Sequence, residues 1–300
     1  MEQGNDRRWV KGLVLTGGAV LVALILSLLL TTVLQSGWSH RHGSFAPQEP
    51  REDLTALLEQ PTPSQKDYDR IYRQTGLSPA AVRELLDRGE PGRQQILETQ
   101  KGLYEAPEAT CVSLIGGRFT CEDLLLDQEG KRVRSVPLAP LRPGDLLLSF
   151  STHTLGWRHG HAGLVLGPDR VLEAVQIGSD SYQAKADHWR SYSNFLVLRV
   201  KDTARKVGEE VAHFARRVLD KVPYSLLCGI TTPKGAPVEE TSGVHCAYLP
   251  WYAWQEAGVD LDANGGRIVT VADLARSPEL EVVQVYGMDP ALVADRLAQA

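Results

Sequence analysis

The stretch His161-Ala-Gly-Leu-Val-Leu-Gly-Pro-Asp-Arg-Val-Leu-Glu-Ala174 decides how the chain is read. Two apolar segments of strand length, Ala162 to Leu166 and Val171 to Val175, flank the turn formers Gly167, Pro168 and Asp169. That is the pattern of a β-hairpin. A connection of four residues around Gly167-Pro168 pairs the segments antiparallel and sets His161 and Glu173 nearly opposite each other with the same parity. Both side chains then reach one face of the sheet. A carboxylate so placed fixes the tautomer of an imidazole.

Further strands and helices are expected on either side. The turn Arg142-Pro-Gly-Asp145 leads into Leu146-Leu-Leu-Ser-Phe150, and Phe195 to Val200 and Glu281 to Tyr286 are two more strands. Thr203 to Asp220 reads as an amphipathic helix, with Val207, Val211, Phe214, Ala215 and Val218 on one stripe. After a turn-rich stretch from Pro223 to Gly243, a second helix begins near Cys246 and is stopped by Gly258. Residues 270–275 form a short helical turn. The fold class expected is α+β, an antiparallel sheet packed on helices.

This arrangement places a thiol at a helix start and an imidazole at a strand start. Nucleophilic cysteine catalysis needs a thiolate, a base to make it and a group to orient the base. A helix N-terminus lowers a thiol pKa and offers N–H groups to an oxyanion. Cys246, His161 and Glu173 are the candidates for those roles, with Gln176, Asp187 and His188 as stand-ins for the third. A lone cysteine is more often buried and structural. His245 lies beside Cys246, and a helix turns it about 100° away, so it reads as a flank. Trp157, Trp251 and Trp254 fit either a substrate groove or the core.

Several segments together resemble one enzyme family. Arg142-Pro-Gly-Asp-Leu-Leu-Leu, His161-Ala-Gly-Leu-Val-Leu-Gly and Val171-Leu-Glu-Ala resemble the NlpC-type cysteine peptidases and amidases. Val222-Pro-Tyr224 and His245-Cys-Ala-Tyr-Leu-Pro-Trp-Tyr-Ala-Trp are similar to that family's Pro-Tyr and its cysteine helix start. Here His precedes Cys, the order of the circularly permuted papain-like amidases, whose late Asp-Leu-Ala-Ser-Pro element is similar to Val271-Ala-Asp-Leu-Ala-Arg-Ser-Pro278. The likeness covers about residues 141–287. Ala247 stands where the family often has Ser, and Pro250 where it usually has an aliphatic residue. The resemblance implies Cys246 as nucleophile, His161 as general base and later acid, and Glu173 as the orienting residue. It implies that Tyr224 lines the site and helps to hold an oxyanion, and that the substrate is an amide, with a cell-wall peptide first and an ester or lipid acyl group second. A catalytically silent module that binds wall peptides or a protein is the reading from another class. No cofactor is expected.

The N-terminus sets the compartment. Between Gly12 and Ser39 there is no Asp, Glu, Lys or Arg, and Ala19 to Leu34 is almost wholly apolar. That meets the roughly 20 residues a bilayer-spanning helix needs. Arg7, Arg8 and Lys11 precede the run and would stay cytoplasmic, so the rest of the chain would lie outside the membrane. An uncleaved anchor is expected over a cleaved signal peptide, because the run is long and the cleavage pattern around Ser36-Gly37 is poor. Six segments follow: a cytoplasmic start at 1–11, the anchor at 12–36, a linker at 37–63, a helical region with a hairpin at 64–136, the permuted papain-like domain at 137–290 and a tail at 291–300.

Composition excludes other classes. With 32 Lys and Arg against 37 Asp and Glu, the net charge is -5, which argues against nucleic acid as a partner. Hydrophobic residues at 43% exclude wholesale disorder. Outside the membrane, disulfides persist. Cys111 and Cys121 flank Gly116-Gly117 between two apolar segments and are the candidate disulfide; Cys228 reads as a buried free thiol or a disulfide partner. His153, His159 and His161 match no standard zinc spacing, so no metal is expected there.

Overall fold

In a computed structural model, the residues described are 16–27, 29–30, 45, 47, 49–115, 120–154 and 157–293. Helices α1 (Thr55–Leu58), α2 (Gln65–Thr75), α3 (Pro79–Leu86) and α4 (Glu90–Tyr104) come first. Strands β1 (Ala109–Ile115), β2 (Thr120–Leu125), β3 (Leu146–Ser149), β4 (Thr152–Thr154), β5 (Trp157–Arg158), β6 (His161–Gly167), β7 (Arg170–Glu173), β8 (Tyr182–Lys185) and β9 (Phe195–Val200) follow. Helices α5 (Arg205–Val218), α6 (Tyr248–Gln255) and α7 (Val271–Ala275) precede the last strand, β10 (Leu280–Tyr286). The class is α+β, as expected.

Six strands form an antiparallel sheet in the order β10-β9-β3-β6-β7-β8. Its central strands are buried on both faces, which is why Leu146-Leu-Leu is continuously apolar rather than alternating. Leu146, Leu148, Leu164, Leu172 and Leu198 pack with Val211, Ala215, Tyr248 and Trp254 of α5 and α6. Leu147, Val165, Val171, Val197 and Val283 pack on the other side with Ile71, Val82, Leu85, Ile96 and Leu103 of α2 to α4. The N-terminal helices therefore cover the back of the sheet. The expected linker is also shorter at its C-terminal end. Leu54, Leu57 and Leu58 are 0%, 5% and 2% exposed and belong to the same core, because their spacing puts all three on one side of α1.

The Pro-Gly-Asp turn fixes the helix that follows Cys246. Asp145 receives Arg199 Nε and Nη2, each at 2.8 Å, and the Arg142 N–H at 2.8 Å. Trp254 Nε1 donates to the Gly144 carbonyl at 2.9 Å. Gly144 has φ +89°, and a Cβ there would lie 2.8 Å from the Trp254 ring, so the turn needs glycine. Trp251 and Trp254 are thus core residues, 3% and 2% exposed, and not a groove. The Trp157 side chain lies outside the described residues.

A second sheet runs β1-β2-β4-β5. Its first hairpin contains the two cysteines expected to bond, but Cys111 stands opposite Asp123 and Cys121 opposite Ser113. The two are diagonal neighbours, and both thiols are free. Cys228 is free and buried.

Residues 16–27 and 29–30 are helical, with exposed apolar side chains such as Leu24 and Leu26. Among the described residues no helix is long and apolar enough to cross a membrane; the remainder of the expected anchor lies outside them.

Candidate active site

The turn between β6 and β7 is two residues long, Pro168-Asp169, with Gly167 opposite Arg170. Continued without interruption, that register would set Glu173 opposite Leu164, on the wrong face. A β-bulge between Val165 and Gly167 shifts it by one residue, so Glu173 faces Gly163 and shares a face with His161. The predicted parity is correct, the four-residue connection is not, and the pair is diagonal. Gly163 lets the glutamate lean across: a Cβ there would meet Val171 Cγ2 at 2.6 Å and Glu173 Cγ at 3.3 Å.

Glu173 is 0% exposed and its Oε1 lies 2.9 Å from His161 Nε2. His188 Nε2 reaches the same oxygen at 3.3 Å, while Oε2 has no partner. The imidazole of His161 stacks on Trp189, ring centroids 5.3 Å apart and planes 13° from parallel, with Tyr192 edge-on. With Nε2 engaged, Nδ1 is the nitrogen left for Cys246, which acts on the same ring.

Cys246 is half-buried, two residues before the first residue of α6. The first helical N–H groups, of Tyr248 and Leu249, donate to His245 Nδ1 at 3.3 Å and His245 O at 3.1 Å, which leaves those of Cys246 and Ala247 at the helix start. Ala247 takes the N-cap position, and Pro250 sits in the first turn, where its missing N–H costs no helical bond.

The charges of the three groups support one another. Burial alone would raise the Cys246 pKa, but hydrogen bonds from His161 and His245 outweigh it and bring the thiol down to about 5. Burial would lower His161; its bonds to Cys246 and Glu173 lift it to about 10. Burial would raise Glu173; His161 and His188 hold it at about 2. Between those limits the group is a thiolate, an imidazolium and a carboxylate.

His245, read from the sequence as a flank, belongs to the site. Its Nδ1 accepts from the Tyr248 N–H at 3.3 Å, so that nitrogen carries no proton. Its Nε2 is buried without a nitrogen or oxygen partner, and the groups acting on the ring are the thiols of Cys228 and Cys246. The ring is thus placed as a donor to sulfur, and those thiols lift its pKa to about 9. Tyr224 pairs with Val244 and lies close enough for the Cys246 charge to raise its phenol, which burial raises first, so it keeps its proton. Of the stand-ins, Gln176 is exposed, Asp187 pairs with Arg134 and Arg190, and His188 supports Glu173 from the far side. Strand parity, a helix start and the family resemblance pointed to this site; His188 was named only as a stand-in for the third role, and none of these signals reaches Trp189 or gives His245 a part.

A cavity of about 490 Å³ lined by Gln94, Glu98, Pro137, Asp169 and Arg190 also includes Asp187, but none of Cys246, His161, Glu173 or Tyr224. No protein-family profile, no curated protein and no solved structure matches the chain.

Proposed function

We propose that the chain is a thiol hydrolase of permuted papain-like type that cleaves an amide bond through a thioester. The observation that carries the proposal is the buried Glu173–His161 pair acting on Cys246 at the start of α6. Cys246 Sγ attacks the carbonyl carbon, and the charge that develops on oxygen meets the N–H groups leading into α6 and the protonated Tyr224. His161 gives its proton to the leaving nitrogen as the C–N bond breaks. It then takes a proton from water, whose oxygen attacks the thioester, and the acid and free thiolate result. Glu173 holds the ring throughout.

With the N-terminal segment as a single-pass anchor, the reaction takes place outside the cell membrane, and the substrate is a cell-wall peptide. The test is incubation of the protein and its Cys246→Ala variant with defined peptidoglycan fragments, read by mass. Cleavage by the first and not the second supports the proposal. If Cys246 also lacks iodoacetamide labelling below the ordinary thiol pKa, the chain is a binding module instead.

One observation favours the ester or lipid acyl reading. Leu226 and Leu227 are 54% and 50% exposed in the loop directly after Tyr224, and Ile230 follows at 44%. Ile177 is 69% exposed in a neighbouring loop tied to this one by the Tyr224 N–H to Ser179 O bond at 3.0 Å. An apolar rim beside a thiolate fits an acyl chain. Thioester trapping with a long-chain acyl ester in place of the peptide separates the two.

A further inference from the structure

Away from this site, three adjacent strands of the second sheet bring metal-ligating side chains to one face. In the β1–β2 register Cys111 stands opposite Asp123; in the β2–β4 register Cys121 stands opposite His153. Cys121 and Asp123 are two apart on β2, so all four side chains share a face. The two Sγ atoms and a ring nitrogen of His153 all lie within 4.8 Å of one another. Cys111 Sγ is 3.9 Å from His153 Nε2, and Asp123 Oδ1 is 3.3 Å from that same nitrogen. Cys121, Asp123 and His153 are 6%, 3% and 2% exposed, whereas Cys111 opens to solvent on one side.

We propose that Cys111, Cys121, His153 and Asp123 form a structural site for a tetrahedral divalent cation of the zinc type. Zinc bonds of about 2.3 Å to sulfur and about 2.0 Å to nitrogen and oxygen give tetrahedral edges of about 3.5 Å for S–N and about 3.3 Å for N–O. The Asp123–His153 distance already has the second value, but Asp123 is not among the three residues whose ligand atoms lie mutually within 4.8 Å, so its carboxylate has to turn toward the sulfurs. The Cys111–His153 distance needs to close by about 0.4 Å, which the less buried Cys111 can supply. Two thiolates, one imidazole and one carboxylate are a borderline-soft set that suits zinc over magnesium or calcium. Arg158 Nη2 lies 2.7 Å from Asp123 Oδ2, so the second carboxylate oxygen is held outside the cluster and the loaded site is neutral with its cationic neighbour. The need for such a tie is visible in the sheet: β4 has three residues and β5 two, too few to stand by strand pairing alone. A cation bound to β1, β2 and β4 closes that sheet, and β5 runs directly into His161 at the start of β6.

The histidine cluster weighed from the sequence is therefore regrouped. His153 faces the cysteines, while His161 faces Glu173. Within the cluster the same two thiols, if oxidised, would form a disulfide and exclude the metal, so the test separates the two states.

The experiment uses the full chain in detergent. Zinc content is measured by mass spectrometry of the metal, and Co²⁺ is titrated into chelator-treated protein and followed by absorption. The expected result is one zinc per chain, and with Co²⁺ a thiolate-to-metal charge-transfer band together with the strong visible bands of tetrahedral cobalt. Cys111→Ser, the least buried ligand and the least risk to folding, abolishes the charge-transfer intensity from one thiolate and weakens binding at least tenfold, with an unchanged circular dichroism spectrum. His153→Asn weakens binding likewise. Cys246→Ala and Cys228→Ser leave the spectrum as it is. The proposal is overturned by a chain that binds neither ion, by a Cys111–Cys121 disulfide found by peptide mapping in freshly isolated zinc-free protein, or by a cobalt spectrum that disappears in Cys246→Ala.

Discussion

Glu173 accepts from His161 at 2.9 Å although the residue across the sheet from it is Gly163. The carboxylate reaches diagonally, so its hold on the imidazole depends on charge as well as on place. Glu173→Gln keeps the shape and removes the charge. Hydrolysis should fall by roughly 100-fold, the scale of a positioned acid–base group. The midpoint of Cys246 alkylation should move upward from about pH 5, because a less basic His161 stabilises the thiolate less. An unchanged alkylation profile would remove Glu173 from the proposed mechanism.

The thiolate–imidazolium pair exists between the Cys246 and His161 pKa values, so activity should rise through about pH 5 and decline as pH approaches about 10. Fold stability follows a related rule. His161 sits above its ordinary 6.5, so its contribution is complete below that value and is lost as pH rises through about 10. Glu173 sits below its ordinary 4.5, so its contribution is complete above that value and is lost as pH falls toward about 2. Both are complete together between 4.5 and 6.5. In Cys246→Ala the His161 limb should move to lower pH, because the bond to sulfur that raises it is gone. Melting temperatures across the pH range, for the wild type and this variant, check both limbs.

His245 donates to the thiolate, with His161 as the proposed base. His245→Ala should raise the alkylation midpoint by roughly one pH unit or more, the worth of one hydrogen bond to a charged group, and leave a bell-shaped rate profile. Loss of the bell altogether would make His245, and not His161, the proton carrier.

Gly163→Ala brings a methyl group to 2.6 Å from Val171 Cγ2 and 3.1 Å from the Trp189 ring. Overpacking of this kind costs about 1–3 kcal/mol. Urea unfolding should show that loss, together with reduced turnover as Glu173 is pushed from His161. Wild-type stability in this variant would mean that the strands part more readily than their packing implies.

Asp145 in the Pro-Gly-Asp turn is 2% exposed and paired with Arg199, so the motif's acid is structural. Asp145→Ala removes the close partner of the half-buried Arg199 guanidinium and leaves it Glu84 at 4.0 Å, at roughly 3 kcal/mol, the low end for breaking a buried pair. The folded fraction should keep its Cys246 alkylation midpoint near pH 5 while the melting temperature drops sharply. A shifted midpoint with little change in melting would place Asp145 in the chemistry instead.

The sheet strands β3, β6, β7, β9 and β10 were legible as short apolar runs between turn formers, α5 as an apolar stripe and α6 as an apolar run closed by Gly258. Cys246, His161 and Glu173 were legible from strand parity and a helix start together with the family resemblance. Trp189 was not, and His188 entered only as a stand-in: both lie on a 3₁₀ segment, Ala186–Ser191, whose place under the site is set by tertiary packing. The very short β4 and β5 carry too few residues to show a period. The diagonal offset of Cys111 from Cys121 was hidden because spacing around a glycine turn does not fix a register, and a bulge between Ser113 and Ile115 changes it.

The bulge between Val165 and Gly167 makes the third member of the site a matter of counting as well as of chemistry. If Leu166 paired with Val171 instead of bulging out, every polar group of the site would stay in the chain, yet Glu173 would stand opposite Leu164 and its carboxylate would turn into the layer of Leu164 and Leu172, where nothing can answer its charge. A related chain can therefore carry His, Glu and Cys in this order and lack the relay, and the register of this hairpin would tell the two apart.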